Sequence, residues 1–309
     1  MTEAIGKNQS VNSALFHSSA LPAGSPGVLL NVTLEQAAWK TINFAVRRFA
    51  AGDIWKSNTG GEEAALVVLG GRMTIDFGRG PQPLGERENV FAGYPHAVYL
   101  PHGTAFKVTA LTICEIADCR VASTANLEPR LITPERVVSV TRGNGNSTRQ
   151  VVDLIRPDFP AEKLMICEVY TPGGNWSSYP PHKHDVHNPP VEVALDETYY
   201  FRLDAPDGYA FQRLYDSATH RDETMAVRDG DLVVVRNGYH TVVTAPGYNC
   251  YYLNVLAGSA RSMAASDDPR YAYLRRNGPQ LDPRVPVVHN IHADARARES
   301  ADSVAKPQG

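Results

Sequence analysis

The sequence predicts an all-β protein of two barrels, and three observations carry that expectation. Short β-type runs recur along the chain, at residues 65–69, 97–100, 137–140 and 232–235. Gly, Pro, Asn and Asp punctuate them at short intervals, the spacing of a sandwich or barrel. Helical periodicity is confined to residues 34–46 and 268–276. The order of strands and turns also repeats weakly between the two halves.

Taken in order, residues 1–24 are rich in Ser, Asn, Gly and Ala and are expected to form a loose leading segment. They lack the basic-then-apolar pattern of a signal peptide. The first barrel is expected over 25–135. There Glu63 opens a strand that ends at Gly70 and Gly71, and a later strand leads through Pro101, His102 and Gly103 into residues 108–116. Turn-rich sequence over 125–150 marks the boundary. The second barrel, 136–278, follows the same order. Glu197 opens a strand, residues 232–235 lead through Asn237 and Gly238 to His240, and residues 250–256 close the sheet. Residues 279–309 read as a tail of Pro, Ala and charged residues.

Composition narrows the classes. Thirty-three acidic and thirty basic residues nearly balance, and no long basic run suggests nucleic acid as a partner. No apolar run has the length to cross a bilayer. Four cysteines, with no Cys-x-x-Cys pair, exclude a disulfide scaffold and fit a cytoplasmic setting; Cys114 and Cys119 lie in an apolar run and read as buried thiols.

The chemistry concentrates in the second half. In Tyr179-Pro180-Pro181-His182-Lys183-His184-Asp185, the two histidines stand two apart, so on a strand they share one face. Glu197 follows on the next strand and His240 follows the Asn237-Gly238 turn. Three imidazoles and one carboxylate suit a divalent first-row metal, with further positions open to water or substrate. A lone His-x-His pair is more often structural; the later Glu and the Gly-turn-His element make the metal reading the stronger one. His102 precedes Gly103 where a ligand would follow it, and Ala105 and Phe106 hold the equivalent places, so the first barrel is expected to be metal-free.

These residues resemble the cupin superfamily, although seven residues separate Gly174 from His182 and twelve separate His184 from Glu197. A narrower likeness is more specific. Pro-Pro-His-Lys-His-Asp (180–185), Asp-Glu-Thr-Tyr-Tyr-Phe-Arg (196–202), Phe-Gln-Arg-Leu-Tyr (211–215), Gly-Tyr-His (238–240) and Tyr-Tyr-Leu-Asn-Val-Leu-Ala-Gly (251–258) resemble the 5-deoxy-glucuronate isomerase family of inositol catabolism. The likeness spans most of residues 25–276. It implies a bicupin fold and the ligand set His182, His184, Glu197 and His240. Glu192, inside the long insertion, is the less favoured alternative carboxylate.

The resemblance further implies an aldose–ketose isomerase that converts 5-deoxy-glucuronate to 5-dehydro-2-deoxy-gluconate. Its metal would be zinc, with manganese, iron or nickel accepted by the same donors. A homo-oligomer is expected, with a small sugar acid as the other partner and no membrane or nucleic acid. Tyr199 shares strand parity with Glu197 and is the candidate catalytic side chain. Arg213 is the candidate partner of the substrate carboxylate, with Gln212 and Tyr252 as further contacts. Two rival readings use the same site: a cupin dioxygenase, and a sugar-binding cupin without catalysis.

Overall fold

The computed structural model describes residues 13–22, 24–276 and 280–293. Among them the strands form four antiparallel sheets. A six-stranded and a four-stranded sheet arise from residues 27–132. A seven-stranded and a five-stranded sheet arise from residues 138–267, with Leu15–Phe16 added to the former.

One strand shows how the layers are set. Glu62–Gly70 is apolar on both faces because both are covered. Ala64, Leu66 and Val68 meet Met73, Ile75, Phe106 and Val108 of the four-stranded sheet in the first half's core. Ala65, Val67 and Leu69 point the other way and join Val152, Ile166, Tyr170 and Leu253 of the seven-stranded sheet. The two larger sheets therefore pack back to back, with the Phe44 and Tyr200 rings 5.6 Å apart across the seam. Glu63 lies on this seam face. Its buried carboxylate accepts from the Tyr99 hydroxyl at 2.7 Å and from the backbone N–H groups of Glu162, Lys163 and Leu164 at 2.8, 2.7 and 2.7 Å. Glu63 opens its strand as Glu197 does in the second half, yet it ties the halves together.

Several sequence expectations need correction. Residues 34–46 are not one helix. Leu34–Ala37 forms a single turn, capped by Thr33 and ended by Ala38 in the left-handed region at φ 51°. The chain then enters the strand Ile42–Phe49, where buried Ile42, Phe44 and Val46 favour a pleated surface. Only Ala272–Arg276, a 3₁₀ turn, forms within 268–276. The leading segment is not loose throughout: Leu15 and Phe16 pair with Val233 and Leu232, and Ala14 and Phe16 are buried. Residues 1–12 lie outside the described residues. The tail also packs in part. The Gln150 side chain accepts from Val287 and Val288 N–H at 2.8 and 3.0 Å and donates to the Val288 carbonyl at 2.9 Å. Residues 294–309 lie outside the described residues.

Cys114 and Cys119 are buried free thiols. Among the described residues, no helix is long and apolar enough to cross a membrane.

The strand that carries Glu197 is held at close quarters. Gly258 lies opposite Leu195, and a Cβ there would meet the Ala194 carbonyl oxygen at 2.0 Å and Leu195 Cα at 2.8 Å. Both are backbone atoms that cannot rotate away. Gly258→Ala should therefore cost about 1–3 kcal/mol, the range of an overpacked core. The measurement is a lowered urea midpoint; an unchanged midpoint would contradict this account of the strand pair.

Candidate metal centre

Two chain segments deliver the three histidines. Trp176–Lys183 carries His182, with His184 one residue beyond its end, and Tyr239–Thr244 carries His240. His182 and His240 are direct cross-strand partners. Their pairing follows a register slip between Ser177 and His182, where Ser178 adopts φ 51°. Such a bulge re-aims the side chains beyond it. The ring centroids of His182 and His240 stand 4.5 Å apart, and those of His184 and His240 5.1 Å apart. One nitrogen from each of the three rings lies within 4.8 Å of the others.

The backbone fixes which nitrogens converge. His184 Nδ1 donates to the Leu195 carbonyl at 3.0 Å. His182 Nδ1 lies 3.4 Å from the Pro180 carbonyl, and His240 Nδ1 3.5 Å from that of Gly238. With Nδ1 turned to a carbonyl, each ring is left with Nε2 as the nitrogen it can offer a metal, the usual arrangement behind a metal-binding histidine.

Glu197 completes the group. Its Oε2 lies 2.9 Å from His184 Nε2 and 3.3 Å from His240 Nε2. Burial alone would raise the carboxyl, but the two imidazoles beside it outweigh burial and hold Glu197 at about 2. Burial also keeps His182 well below the ordinary imidazole range, so it stays neutral. For His184 burial works downward as well, but the Glu197 carboxylate more than offsets it and raises the imidazole. His240 Nε2 is buried without a hydrogen bond of good geometry. Three converging imidazoles, an ionised carboxylate and an orphaned buried nitrogen fit a divalent cation with nitrogen and oxygen ligands.

Glu192 serves the loop rather than the centre. Its Oε1 accepts from Lys183 Nζ at 2.8 Å and from the N–H groups of Asp185 and Val186 at 2.8 and 3.0 Å. These bonds pin the His184-to-Leu195 excursion and so support His184 indirectly. His187 is exposed and bonds Ser259 Oγ at 2.7 Å.

The other sequence candidates separate cleanly. Tyr199 faces the interior, its ring centroid 5.8 Å from that of His240 and its hydroxyl 3.0 Å from Ser178 Oγ. Burial drives its phenol well above the ordinary tyrosine value, so it remains protonated. Tyr252 stacks at 4.8 Å beside Tyr199. Gln212 is fully buried and shares the inward face with Leu214, the direct partner of His240; both of its amide atoms lack a protein partner. Arg213 is a correction. It points outward, where it makes a bidentate pair with Asp222 at 2.8 and 2.7 Å and stacks 4.3 Å over the Tyr215 ring. The period of two that turns Gln212 inward turns Arg213 away.

A cavity of about 780 Å³ opens beside the centre, with His182 in its wall. Arg142, Arg149 and Arg275 line it together with Tyr179 and Met263. Arg142 and Arg149 escape a sequence reading because the turn-rich residues 125–150 mark the boundary between barrels. A signal was present: the Gly143-Asn144-Gly145-Asn146 turn between two β-type runs predicts a hairpin, which sets Arg142 opposite Arg149.

Facing antiparallel sheets with a histidine cluster between their strands define a cupin protein. Comparison with known proteins is narrower, and the chain belongs to the KduI/IolB family, whose model matches residues 15–274. The chain is 40% identical over 250 residues to 5-deoxy-glucuronate isomerase of Geobacillus thermodenitrificans, covering 80% of this chain and 91% of that one. The 5-deoxy-glucuronate isomerase of Bacillus subtilis strain 168 is 37% identical over 255 residues, 81% and 94% of the two chains. Among solved structures, an IolB-like protein from Salmonella typhimurium LT2 aligns with a TM-score of 0.81 at 34% identity, covering 84% of this chain and 98% of that one. Oxalate decarboxylase of Lactobacillus farciminis aligns with a TM-score of 0.61 at 11% identity, over 87% and 92% of the chains, which speaks to the fold alone.

Proposed function

We propose that this protein is a metal-dependent aldose–ketose isomerase that converts 5-deoxy-glucuronate to 5-dehydro-2-deoxy-gluconate in cytoplasmic inositol catabolism. The observation that carries the reading is the convergence of three Nε2 atoms beside the Glu197 carboxylate, in a chain of this family. His182, His184, Glu197 and His240 would hold the ion, for which zinc is proposed. We take residues 25–135 and 136–278 as two barrels with the metal in the second, and the assembly as a homo-oligomer.

The reaction moves a proton from C2 of the sugar to C1 while the carbonyl passes the other way. When bound, a divalent ion supplies a Lewis acid to the neighbouring oxygens of the substrate. The protein's own groups do the rest. Tyr199, kept protonated by burial and oriented by Ser178, offers a hydrogen-bond donor to a developing oxyanion rather than a base. Gln212 presents an unpaired donor and acceptor, which suits sugar hydroxyls. Tyr252 buttresses Tyr199.

Proton NMR of purified protein with 5-deoxy-glucuronate should show the ketose accumulating. Chelation should stop turnover, and added zinc or another divalent ion should restore it. Absence of turnover in folded, metal-replete protein would overturn the assignment.

A further inference from the structure

The cavity carries charge that the protein does not neutralise. Arg142 and Arg149 are direct cross-strand partners, so their side chains leave the same face of the sheet. Like charges placed directly opposite destabilise a strand pair. Neither side chain forms an ion pair among the described residues. Arg149 is partly buried and donates through Nη1 only to the carbonyls of Ser147 and Tyr179, at 3.2 and 3.4 Å. Among the described residues Arg142 makes no side-chain hydrogen bond, and it is exposed at the cavity mouth. Arg275, the third arginine of the wall, is already spent on Asp267, with Nη2 2.6 Å from Oδ1. Asp153, further along the Arg149 strand, forms no ion pair with either arginine. Two guanidinium groups thus face one cavity with no carboxylate at ion-pair distance among the described residues, although Asp153 acts on Arg142 from further off.

We propose that Arg142 and Arg149 form a carboxylate-binding subsite that selects acidic over neutral sugars and sets the reacting end of the chain at the histidine centre. The inference rests on the isomerase reading for the identity of the sugar. Both arginines and His182 line the same cavity, so one ligand can touch both groups. A six-carbon acid extends roughly 6 Å from carboxylate carbon to aldehyde carbon, from carbon–carbon bonds of about 1.5 Å. In the proposed pose, with the carboxylate at Arg149, the aldehyde end lies on the His182 side of the cavity. A planar guanidinium pair matches a carboxylate in a way that a hydroxymethyl group cannot. Arg149 is the main anchor, because its partial burial strengthens the interaction and its carbonyl bonds hold it in place. Both arginines are positioning residues.

Calorimetric titration with D-glucuronate and D-glucose tests the subsite without turnover. Wild type should prefer the uronate by about 10- to 100-fold, the worth of a charge-assisted bidentate pair. Arg149→Ala and Arg142→Gln should each lose most of that preference while keeping full metal content. The KM for 5-deoxy-glucuronate should rise by a similar factor, with kcat less affected. Arg213→Ala, outside the cavity, should leave KM and the preference unchanged. Arg142→Gln guards against misfolding, since that side chain makes no hydrogen bond or ion pair among the described residues. Equal affinity of wild type for the two sugars, or a preference kept in both variants, overturns the subsite. Turnover by wild type with unchanged KM in the variants removes the subsite and leaves the isomerase standing. A uronate preference without turnover does the reverse.

Discussion

His184→Ala is expected to abolish metal retention and, with it, turnover. His184 contributes more than one ligand atom. Its Nδ1 bond to the Leu195 carbonyl ties the end of one strand to the start of the next, and its Nε2 lies 2.9 Å from Glu197. Alanine removes both, leaving Glu197 with His240 as its remaining imidazole partner. Loss of an outer-shell partner alone typically costs about 10- to 100-fold in metal affinity, and loss of a ligand should exceed that. Elemental analysis should find metal at a small fraction of the wild-type content. The value of kcat/KM should fall on the order of a thousandfold or more, the share of the barrier that a Lewis acid supplies. His187→Ala is the control: that histidine is exposed, bonded to Ser259, and its loss should leave metal content unchanged. Full metal content in folded His184→Ala protein would falsify the ligand assignment.

The clustering of the three histidines beside Glu197 was readable from the sequence because its geometry is local. His182 and His184 are two residues apart, Glu197 opens a strand, and His240 follows a glycine turn. Each placement needs only strand periodicity and a turn signal. The strand Leu232–Val235 emerged with the bounds the sequence suggests for the same reason. Arg213 was misplaced because its strand has apolar residues on both faces: Phe211 and Tyr215 share its parity, Leu214 opposes it. Alternation alone does not say which face is inside. Packing decides, and it put Gln212 and Leu214 inward. The role of Glu63 was hidden because the seam between sheets is a tertiary contact, made with backbone N–H groups about a hundred residues away. The ordered pieces of the two termini were hidden because their sequences are polar and turn-rich. They hold through edge pairing at Leu15 and Phe16 and through one buried glutamine, Gln150, rather than through an apolar stripe.

The seam yields the largest stability effect. Arg87→Ala should cost about 3–5 kcal/mol, the penalty for leaving one partner of a buried ion pair alone. Arg87 comes from the first half and Glu168 from the second, and both side chains are essentially inaccessible. The guanidinium meets the carboxylate at 2.6 and 3.0 Å and also donates to the carbonyls of Val68 and Gly93. Tyr170 and Tyr251 donate to the same carboxylate at 2.7 and 2.9 Å. Removing Arg87 leaves Glu168 charged in an apolar seam and strands the Val68 carbonyl. Urea denaturation should show the loss. The two halves should then unfold at separate midpoints, because the sheet-to-sheet contact that couples them is weakened. Replacing both partners, as Arg87→Met with Glu168→Leu, should recover much of the stability, since the carboxylate that demanded a cation is gone. The proposed metal centre lies on the opposite face of the seven-stranded sheet from the seam, since Glu197 alternates with Thr198 and Tyr200. Metal content of folded Arg87→Ala protein at low temperature should therefore match wild type, which separates the work of the seam from that of the site. A single mutant with an unchanged urea midpoint would mean that water reaches Glu168, and that the seam is not the dry contact its burial indicates.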